Sequence, residues 1–257
     1  MAKGSAMGLG GITVLPIMGL GEIEPGMGLA ALIAAAAEEQ GTPLEQGDIV
    51  VITQKVVSKA EGCLVPLETV EPSTLAREWA ERWNKDARVV ELVLRQSRRI
   101  VRMDRGVIIS ETHHGLVCAN AGVDCSNVGG DRATLLPPDP DASAERLRSA
   151  LVTLAGAEVG VIISDTFGRA WREGQTNVAI GVAGVEAVRH FEGQTDPTGY
   201  ELRVTMLATA DELAGAAELV MGKVDGVPVA LVRGLGRALG RGAARELVRP
   251  AANDLFR

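Results

Sequence analysis

The sequence predicts a mixed α/β fold, and three observations support this prediction. Short runs rich in β-branched residues alternate with longer stretches that have helical periodicity. No internal repeat or low-complexity linker interrupts the alternation. The most proline-rich stretch, residues 135–143, is the best candidate for a boundary, but it does not separate two independent units. We therefore expect one α/β domain over residues 11–257, after a flexible leader at residues 1–10.

Periodicity and composition place the individual elements. Seven short apolar segments are predicted to be strands: residues 11–17, 48–54, 106–112, 115–120, 158–164, 201–206 and 227–233. Four segments are predicted to be helices: residues 29–41, 74–83, 141–156 and 209–222. Ser73 is the predicted N-cap of the second helix. Trp79 and Trp83 share one face of that helix, which indicates a place in the core or in a subunit interface.

Composition and charge exclude several classes of protein. A formal net charge of −7 argues against a general nucleic-acid binder, which needs a basic face. The longest apolar stretch, LAALIAAAA, is well short of the roughly 18 residues that a membrane-spanning helix requires. The three cysteines are odd in number and lack C-x-x-C spacing, so neither a disulfide framework nor a zinc knuckle is indicated. We expect a cytoplasmic protein without nucleic-acid or membrane partners.

Acidic residues follow two of the predicted strands. Asp165 comes directly after EVGVIIS, and Asp124 lies in a glycine-flanked loop after GLVCAN. Ligand groups in α/β proteins tend to lie just beyond the carboxyl ends of strands. The two aspartates could therefore share a Mg²⁺ or Mn²⁺ ion, with Thr166 as a further oxygen ligand. The alternative is that Asp124 forms an Asx-turn and Asp165 caps the following turn.

Basic residues accompany both acidic segments. Lys55 and Lys59 stand four residues apart after a strand, and Lys59 is suited to a phosphate oxygen. Arg169 and Arg172 follow the second acid and could neutralise charge on a transferred phosphoryl group. For each of these residues, the alternative is a solvated surface side chain. The chain has no P-loop motif, so a phosphate site would have to be of another kind.

Several ordered segments resemble the coenzyme F420-0:L-glutamate ligase family, the F420 γ-glutamyl ligases. The segments are GDIVVITQKVVSKAEG, CANAGVDCSNVGG, LLPPDPDASAERLR, VIISDTFGRAWREGQTNVAIGVAG and ADELAGAAELVMGK followed by PVALVRG. The resemblance extends from TVLPIMGLGE to VALVRGL, which is nearly the whole chain. It implies a two-lobed subunit in an intertwined homodimer, with GTP and divalent metal in a groove near the dimer interface.

The resemblance also implies an activity. The family uses GTP to join L-glutamate to the carboxylate of the deazaflavin precursor F420-0, and then adds further glutamates through γ-linkages. We therefore expect an acyl-phosphate intermediate, two divalent ions (Mg²⁺ or Mn²⁺) as cofactors, and K⁺ as an additional activator. Two other hypotheses stay open: a GTP- or ATP-dependent ligase for another carboxylate, and a nucleotide-binding protein without catalysis.

The resemblance assigns roles to individual residues. It implies that the GTP contacts are Gly19, Leu20, Gly21, Glu22, Gln54, Lys59 and Asn127. It implies that the metal ligands are Asp124, Asp165, Thr166 and Glu212, with Thr166 on a different ion from the aspartates. Gln54 departs from the family, because relatives often carry serine at this position. Asp124, Asp165, Arg169 and Arg172 form the predicted catalytic set.

Overall fold

The mixed α/β class is confirmed by the computed structural model, which describes residues 11–254. The helices are α1 (Leu29–Glu39), α2 (Gln54–Ala60), α3 (Thr74–Trp83), α4 (Ala87–Gln96), α5 (Pro140–Ala155) and α6 (Thr209–Met221). The strands are β1 (Thr13–Ile17), β2 (Ile49–Thr53), β3 (Leu64–Pro66), β4 (Ser97–Asp104), β5 (Val107–Thr112), β6 (Val117–Ala119), β7 (Arg132–Thr134), β8 (Gly160–Arg169), β9 (Arg172–Ala183), β10 (Arg189–His190), β11 (Met206–Leu207) and β12 (Val229–Arg233). The leader predicted at residues 1–10 lies outside the described residues.

A five-stranded sheet with the order β1-β12-β2-β8-β9 forms the centre of the fold. β2 and β8 are parallel, whereas every other neighbouring pair in this sheet is antiparallel. Residues 49–52 of β2 and 161–163 of β8 are completely buried. Burial on both faces explains why these strands are continuous runs of valine and isoleucine, without alternating polar residues.

Helices cover both faces of this sheet. One apolar cluster joins the sheet to α1 and α5, and a second joins the opposite face to α6. α6 presents Ala210, Ala214 and Ala217 to the sheet, and these small side chains let the helix backbone approach closely. Within residues 11–254, no helix is long and apolar enough to cross a membrane.

A third apolar cluster contains residues of α3, α4 and β5, which belongs to the three-stranded sheet β4-β5-β6. Ser73 caps α3 as predicted, by accepting a hydrogen bond from the backbone N–H of Ala76. Trp79 packs against this cluster, and its ring lies 5.7 Å from that of Trp83. Trp79 is thus a partly buried core residue of the third cluster.

Several elements differ from those predicted. The sequence did not predict α2, α4, β3, β4, β7, β9 or β10. The strand predicted at residues 201–206 is wrong, because only Met206–Leu207 forms a short strand there. β8 also continues past Asp165 to Arg169 and pairs with β9, so the segment predicted to be a loop is a β-hairpin. The partner strand supplies the hydrogen bonds that this polar segment needs, and local hydrophobicity does not reveal such pairing.

The contact between β9 and α5 requires a glycine. A Cβ atom at Gly181 would lie 2.3 Å from the carbonyl oxygen of Pro140, where α5 begins. We expect Gly181→Ala to lower the free energy of unfolding by roughly 1–3 kcal/mol, because the helix must shift to relieve the clash. Gly168→Ala in the same hairpin is the matched control, since a Cβ there meets nothing within 4 Å. Urea denaturation that gives equal stability for the two variants would contradict this packing.

Candidate functional site

Three strands of the central sheet end at the same edge, which we call the carboxyl edge. The register aligns Ile17 with Val229, Val229 with Ile52, and Ile52 with Ile163. Since β1, β2 and β8 run in one direction, the residues that follow them lie next to each other. The carboxyl edge therefore brings together the loop after β1, the helix α2 and the segment that starts at Asp165, as expected for ligand sites in α/β sheets.

Asp124 is joined to this edge by Lys55. The Lys55 Nζ atom lies 2.8 Å from Asp124 Oδ2 and donates a hydrogen bond to Ser126 Oγ at 2.7 Å. Asp124 Oδ1 also accepts from the backbone N–H of Ser126, which is an Asx-turn. The backbone of Asp124 pairs with the buried Thr134 of β7. The turn proposed as an alternative for Asp124 is thus present, and it holds the carboxylate beside a lysine.

The two aspartates have opposite electrostatic environments. Burial raises the pKa of Asp165 to about 6, and the negative charge of Asp124 adds to this effect although the Thr166 N–H opposes it. Burial also disfavours the charged form of Asp124, but hydrogen bonds from Lys55 and Ser126 outweigh it, so the pKa of Asp124 is lowered. The carboxylates are therefore close enough to repel each other, and a cation between them would relieve that repulsion.

Thr166 points away from the two aspartates. Its hydroxyl donates to Asn177 Oδ1 at 2.7 Å and accepts from Lys223 Nζ at 2.5 Å. Successive residues of a strand face opposite sides of the sheet, so Thr166 lies on the α6 side and Asp165 on the α2 side. One ion shared by both aspartates and the Thr166 hydroxyl does not fit this orientation. A separate ion at Thr166, as the resemblance implies, stays a prediction.

Glu218 is the α6 carboxylate that belongs to the polar cluster around Thr166. Its side chain lies 2.6 Å from Lys223 Nζ and accepts from the backbone N–H of Asn177. Glu212 is exposed on the first turn of α6, about 9 Å of helix rise before Glu218 and on a different face. The helix phase therefore favours Glu218 over Glu212 for this cluster.

The predicted nucleotide segment lies at the carboxyl edge beside Lys59. Gly19 and Gly21 have φ values of 79° and 67°, a backbone region that glycine adopts without strain. Leu20 between them is buried and anchors the loop. The Lys59 side chain is only 7% exposed, and its ammonium group pairs with the exposed carboxylate of Glu22. Glu22 therefore joins the predicted nucleotide segment to Lys59.

Two other predicted nucleotide contacts differ in accessibility. Asn127 is exposed and has a φ of 56°, within the loop that carries Asp124. Gln54 is buried, and its side-chain oxygen accepts a hydrogen bond from Ser58 one turn later in α2. The Gln54 amide is therefore already hydrogen-bonded within its own helix. The serine that relatives often carry at this position is shorter and would leave more space for a ligand.

Arg169 and Arg172 are not brought to the aspartates. They face each other at the tip of the β8–β9 hairpin, and both are exposed. The Arg169 guanidinium donates to the carbonyl oxygens of Glu173 and Gly174, so it closes its own hairpin. Four residues of strand place Arg169 about 13 Å beyond Asp165. Their predicted catalytic role would require a substrate that reaches the hairpin tip.

The sequence analysis assigned no role to five residues at the site: Lys55, Cys118, Asn177, Glu218 and Lys223. The position of Lys55 directly after a buried strand was the available signal, whereas nothing local marked Lys223. Cys118 lies on β6, and burial together with the charge of Asp165 raises the pKa of its thiol to about 12. This thiol stays neutral, and β6 borders the site because it packs against β8.

The donors at the carboxyl edge suit a hard divalent ion only in part. Over residues 11–254, no three His, Cys, Asp or Glu side chains converge as a metal site. Asp124 and Asp165 supply carboxylate oxygens, and Mg²⁺ typically takes one or two carboxylates, with water and phosphate oxygens completing its shell. The pair therefore fits a metal that binds together with a phosphorylated ligand.

The pKa of Asp165 is raised and that of Asp124 is lowered. We therefore predict that Asp165→Asn and Asp124→Asn change the stability of the fold in opposite directions at neutral pH. Because the folded-state pKa of Asp165 is raised from 3.8 to about 6, its ionisation destabilises the fold as pH rises through this range. At pH 7.5, Asp165→Asn should increase the free energy of unfolding by roughly 1–3 kcal/mol, and the gain should vanish near pH 4.

Asp124→Asn is the matched control, because the pKa of Asp124 is lowered and its charge stabilises the fold at neutral pH. Thermal unfolding of both variants at the two pH values checks the sign. An Asp165→Asn protein that is less stable than the parent at pH 7.5 would show that Asp165 is a structural anchor.

Comparison with known proteins agrees with the resemblance in the sequence. The profile of the family described as F420-0:Gamma-glutamyl ligase matches residues 18–234. The Coenzyme F420:L-glutamate ligase of Methanothermobacter thermautotrophicus is 48% identical over 225 residues, which cover 87% of this chain and 89% of the relative. The protein of the same name from Methanopyrus kandleri is 48% identical over 229 residues, 89% of each chain. That from Archaeoglobus fulgidus is 43% identical over 226 residues, 87% of this chain and 88% of the relative. With the profile covering most of its length, this chain belongs to the F420-0:γ-glutamyl ligase family.

Proposed function

We propose that this protein is a ligase that joins L-glutamate to F420-0 with GTP and then adds further glutamates. Relatives that are 43–48% identical over most of the chain carry the name Coenzyme F420:L-glutamate ligase. The observation that carries the proposal is the convergence of Asp124, Asp165, Lys55 and Lys59 at the carboxyl edge. Two carboxylates and two lysines at one strand edge are suited to a metal-bound nucleoside triphosphate.

The chemistry explains why a nucleotide is needed. A carboxylate is a poor electrophile at neutral pH, so an amine does not attack it directly. In the proposed first step, an oxygen of the F420-0 carboxylate attacks the γ-phosphorus of GTP, and GDP leaves. The amine of glutamate then attacks the acyl-phosphate carbon, loses a proton, and phosphate departs as the amide forms. Phosphoryl transfer of this kind depends on positioning and on stabilisation of spread negative charge.

The residues of the carboxyl edge have separate tasks in this scheme. Asp124 and Asp165 would hold the divalent ion, which when bound neutralises charge on the phosphates. The Lys59 side chain is largely buried and its ammonium group pairs with Glu22, so it would present a localised positive charge to a phosphate oxygen once Glu22 releases it. Gly19 and Gly21 let the backbone of the loop after β1 approach the nucleotide.

Other parts of the scheme rest on the family alone. These are the preference for GTP over ATP, the second divalent ion at Thr166 and the activation by K⁺. The α6-side cluster offers Thr166, Asn177 and Glu218 as oxygen donors for such an ion, but Lys223 occupies the centre of this cluster. An ion at this position would have to displace the Lys223 ammonium.

The activity predicts a defined product. Purified protein incubated with F420-0, L-glutamate, GTP and Mn²⁺ or Mg²⁺ should give products whose masses increase by one glutamyl unit at a time. Mass spectrometry detects them, and reactions without nucleotide or glutamate serve as controls. Turnover with another carboxylate but not with F420-0 would favour a different ligase. GTP binding without any product would favour a regulatory protein, and equal rates with ATP would remove only the guanine preference.

We also propose the two-lobed subunit and the homodimer that the family implies. The third apolar cluster is the candidate second lobe. Trp79 packs inside it and so gives little support for an interface. The exposed apolar side chains Val204, Met206, Leu219 and Val224 are the better candidates for an interface, which would bury them in a contiguous apolar patch.

The homodimer predicts a mass in solution of twice the 26.9 kDa chain. Light scattering on the eluate of a size-exclusion column measures this mass, and it should hold across a tenfold dilution. A mass equal to one chain, under conditions in which the protein is active, would contradict the proposal.

A further inference from the structure

An arginine-lined groove lies outside the site described above. It is a cavity of about 620 Å³ whose charged and polar lining is Arg98, Arg99, Glu111, His114, Arg245 and Arg249. The arginines come from two distant parts of the chain, the start of β4 and the C-terminal segment. Four arginines and one carboxylate line this groove, on a chain with a net charge of −7. We call it the arginine groove.

Glu111 orients the arginines of β4. This carboxylate is largely buried, and its Oε2 atom lies 3.1 Å from Arg99 Nη2 and 3.2 Å from Arg99 Nε. Its Oε1 atom lies 3.8 Å from Arg98 Nη1. A single carboxylate between two guanidinium groups fixes their direction without neutralising both. The other N–H groups of these two guanidinium groups can donate hydrogen bonds to carboxylate or phosphate oxygens in bidentate contacts.

The opposite wall of the groove is anchored to the core. Asp141, at the start of α5, accepts hydrogen bonds from the backbone N–H groups of Ala244 at 2.7 Å and of Val182 at 2.9 Å. Gly115 has a φ of 86°, and a Cβ atom there would lie 3.4 Å from the Val248 side chain. The C-terminal segment thus packs closely on the β5–β6 turn. These contacts hold Arg245 and Arg249 opposite the arginines of β4.

The groove is within reach of the carboxyl edge. β6 connects the two, because it begins after the turn at Gly115 and packs against β8. Gly115 lines the groove, and Cys118 of β6 follows it by three positions. Three residues of extended chain span at most about 11 Å. The groove thus lies within the length of an extended small molecule from the strand that packs on β8.

We infer that the arginine groove binds a multiply charged organic oxyanion, namely the anionic part of the acceptor whose carboxylate reacts at the carboxyl edge. This inference rests on the proposed function, because it assigns the acceptor of that reaction to the groove. Guanidinium groups bind both carboxylate and phosphate oxygens. The arginines therefore specify an oxyanion but do not distinguish a carboxylate from a phosphate. The groove thereby orients the acceptor, whereas the aspartates and lysines bind the nucleotide.

The first test measures binding without catalysis. Tricarballylate carries three carboxylates and no phosphate, so it probes the groove without imitating the nucleotide. In calorimetric titrations with EDTA present, Arg98→Gln combined with Arg245→Gln should weaken its binding by at least about tenfold, since charge-assisted hydrogen bonds are lost. Arg241→Gln is the matched control, because it removes the same charge from the same C-terminal segment outside the groove. No binding to the parent, or equal binding to all variants, would overturn the groove as an oxyanion site.

The second test separates an acceptor site from a site for free anions. In the ligase assay, the double variant should raise the KM for F420-0 by at least about tenfold and leave the KM for GTP within about twofold. Weaker tricarballylate binding with an unchanged KM for F420-0 would overturn the assignment to the acceptor. A parent protein without ligase activity would reject the proposed function together with the acceptor assignment, while the titration would still decide whether the groove binds oxyanions. Circular dichroism confirms that each variant is folded.

Discussion

The parallel pairing of β2 and β8 is the constraint on which the candidate site depends. Parallel neighbours end at the same edge of a sheet, so the residues after each strand meet although about 110 positions separate them in the chain. α2 starts directly after β2, which brings Lys55 and Lys59 to the place where β8 delivers Asp165. The complete burial of residues 49–52 and 161–163 specifies the register, because a slip by one residue would move every side chain to the other face of the sheet.

The electrostatics of this edge are unfavourable without a ligand. Asp165 is partly buried near another carboxylate, and Lys55 forms its ion pair with Asp124. Proteins tolerate such an arrangement where a bound group later compensates the charge, and perturbed carboxyl groups cluster at functional sites for this reason. The two acids thus differ: Asp124 is held by its Asx-turn and by Lys55, whereas the raised pKa of Asp165 indicates that its negative charge is poorly compensated.

Much of the fold was predictable because hydrophobic periodicity marks buried elements. β2, β8, α1, α3, α5 and α6 lie where their patterns placed them. β9 was not predictable in this way, since its first half, REGQTN, is polar and is a strand only because β8 pairs with it. α4 and β4 are amphipathic or charged, and their structure depends on packing in the third cluster.

For the candidate site, the sequence indicated which strand ends matter but not the direction of each side chain. Adjacent residues Asp165 and Thr166 looked like ligands of one ion, and strand geometry places them on opposite faces of the sheet. Glu212 and Glu218 both occur in the α6 segment, and only the phase of the helix shows which one reaches the cluster. Long-range contacts such as Lys55 with Asp124 have no local signature at all.

The role of the carboxyl edge is tested most directly by the rate of glutamate addition in Asp165→Asn and Asp124→Asn, measured at saturating GTP and Mn²⁺. Each variant should stay folded and lose at least about 10–100-fold in rate, because charge and geometry at the cation are both lost. Asp196→Asn makes the same chemical change in an exposed turn, and its activity should equal that of the parent. If Asp165→Asn and Asp124→Asn also turn over like the parent, the carboxyl edge is not the catalytic site.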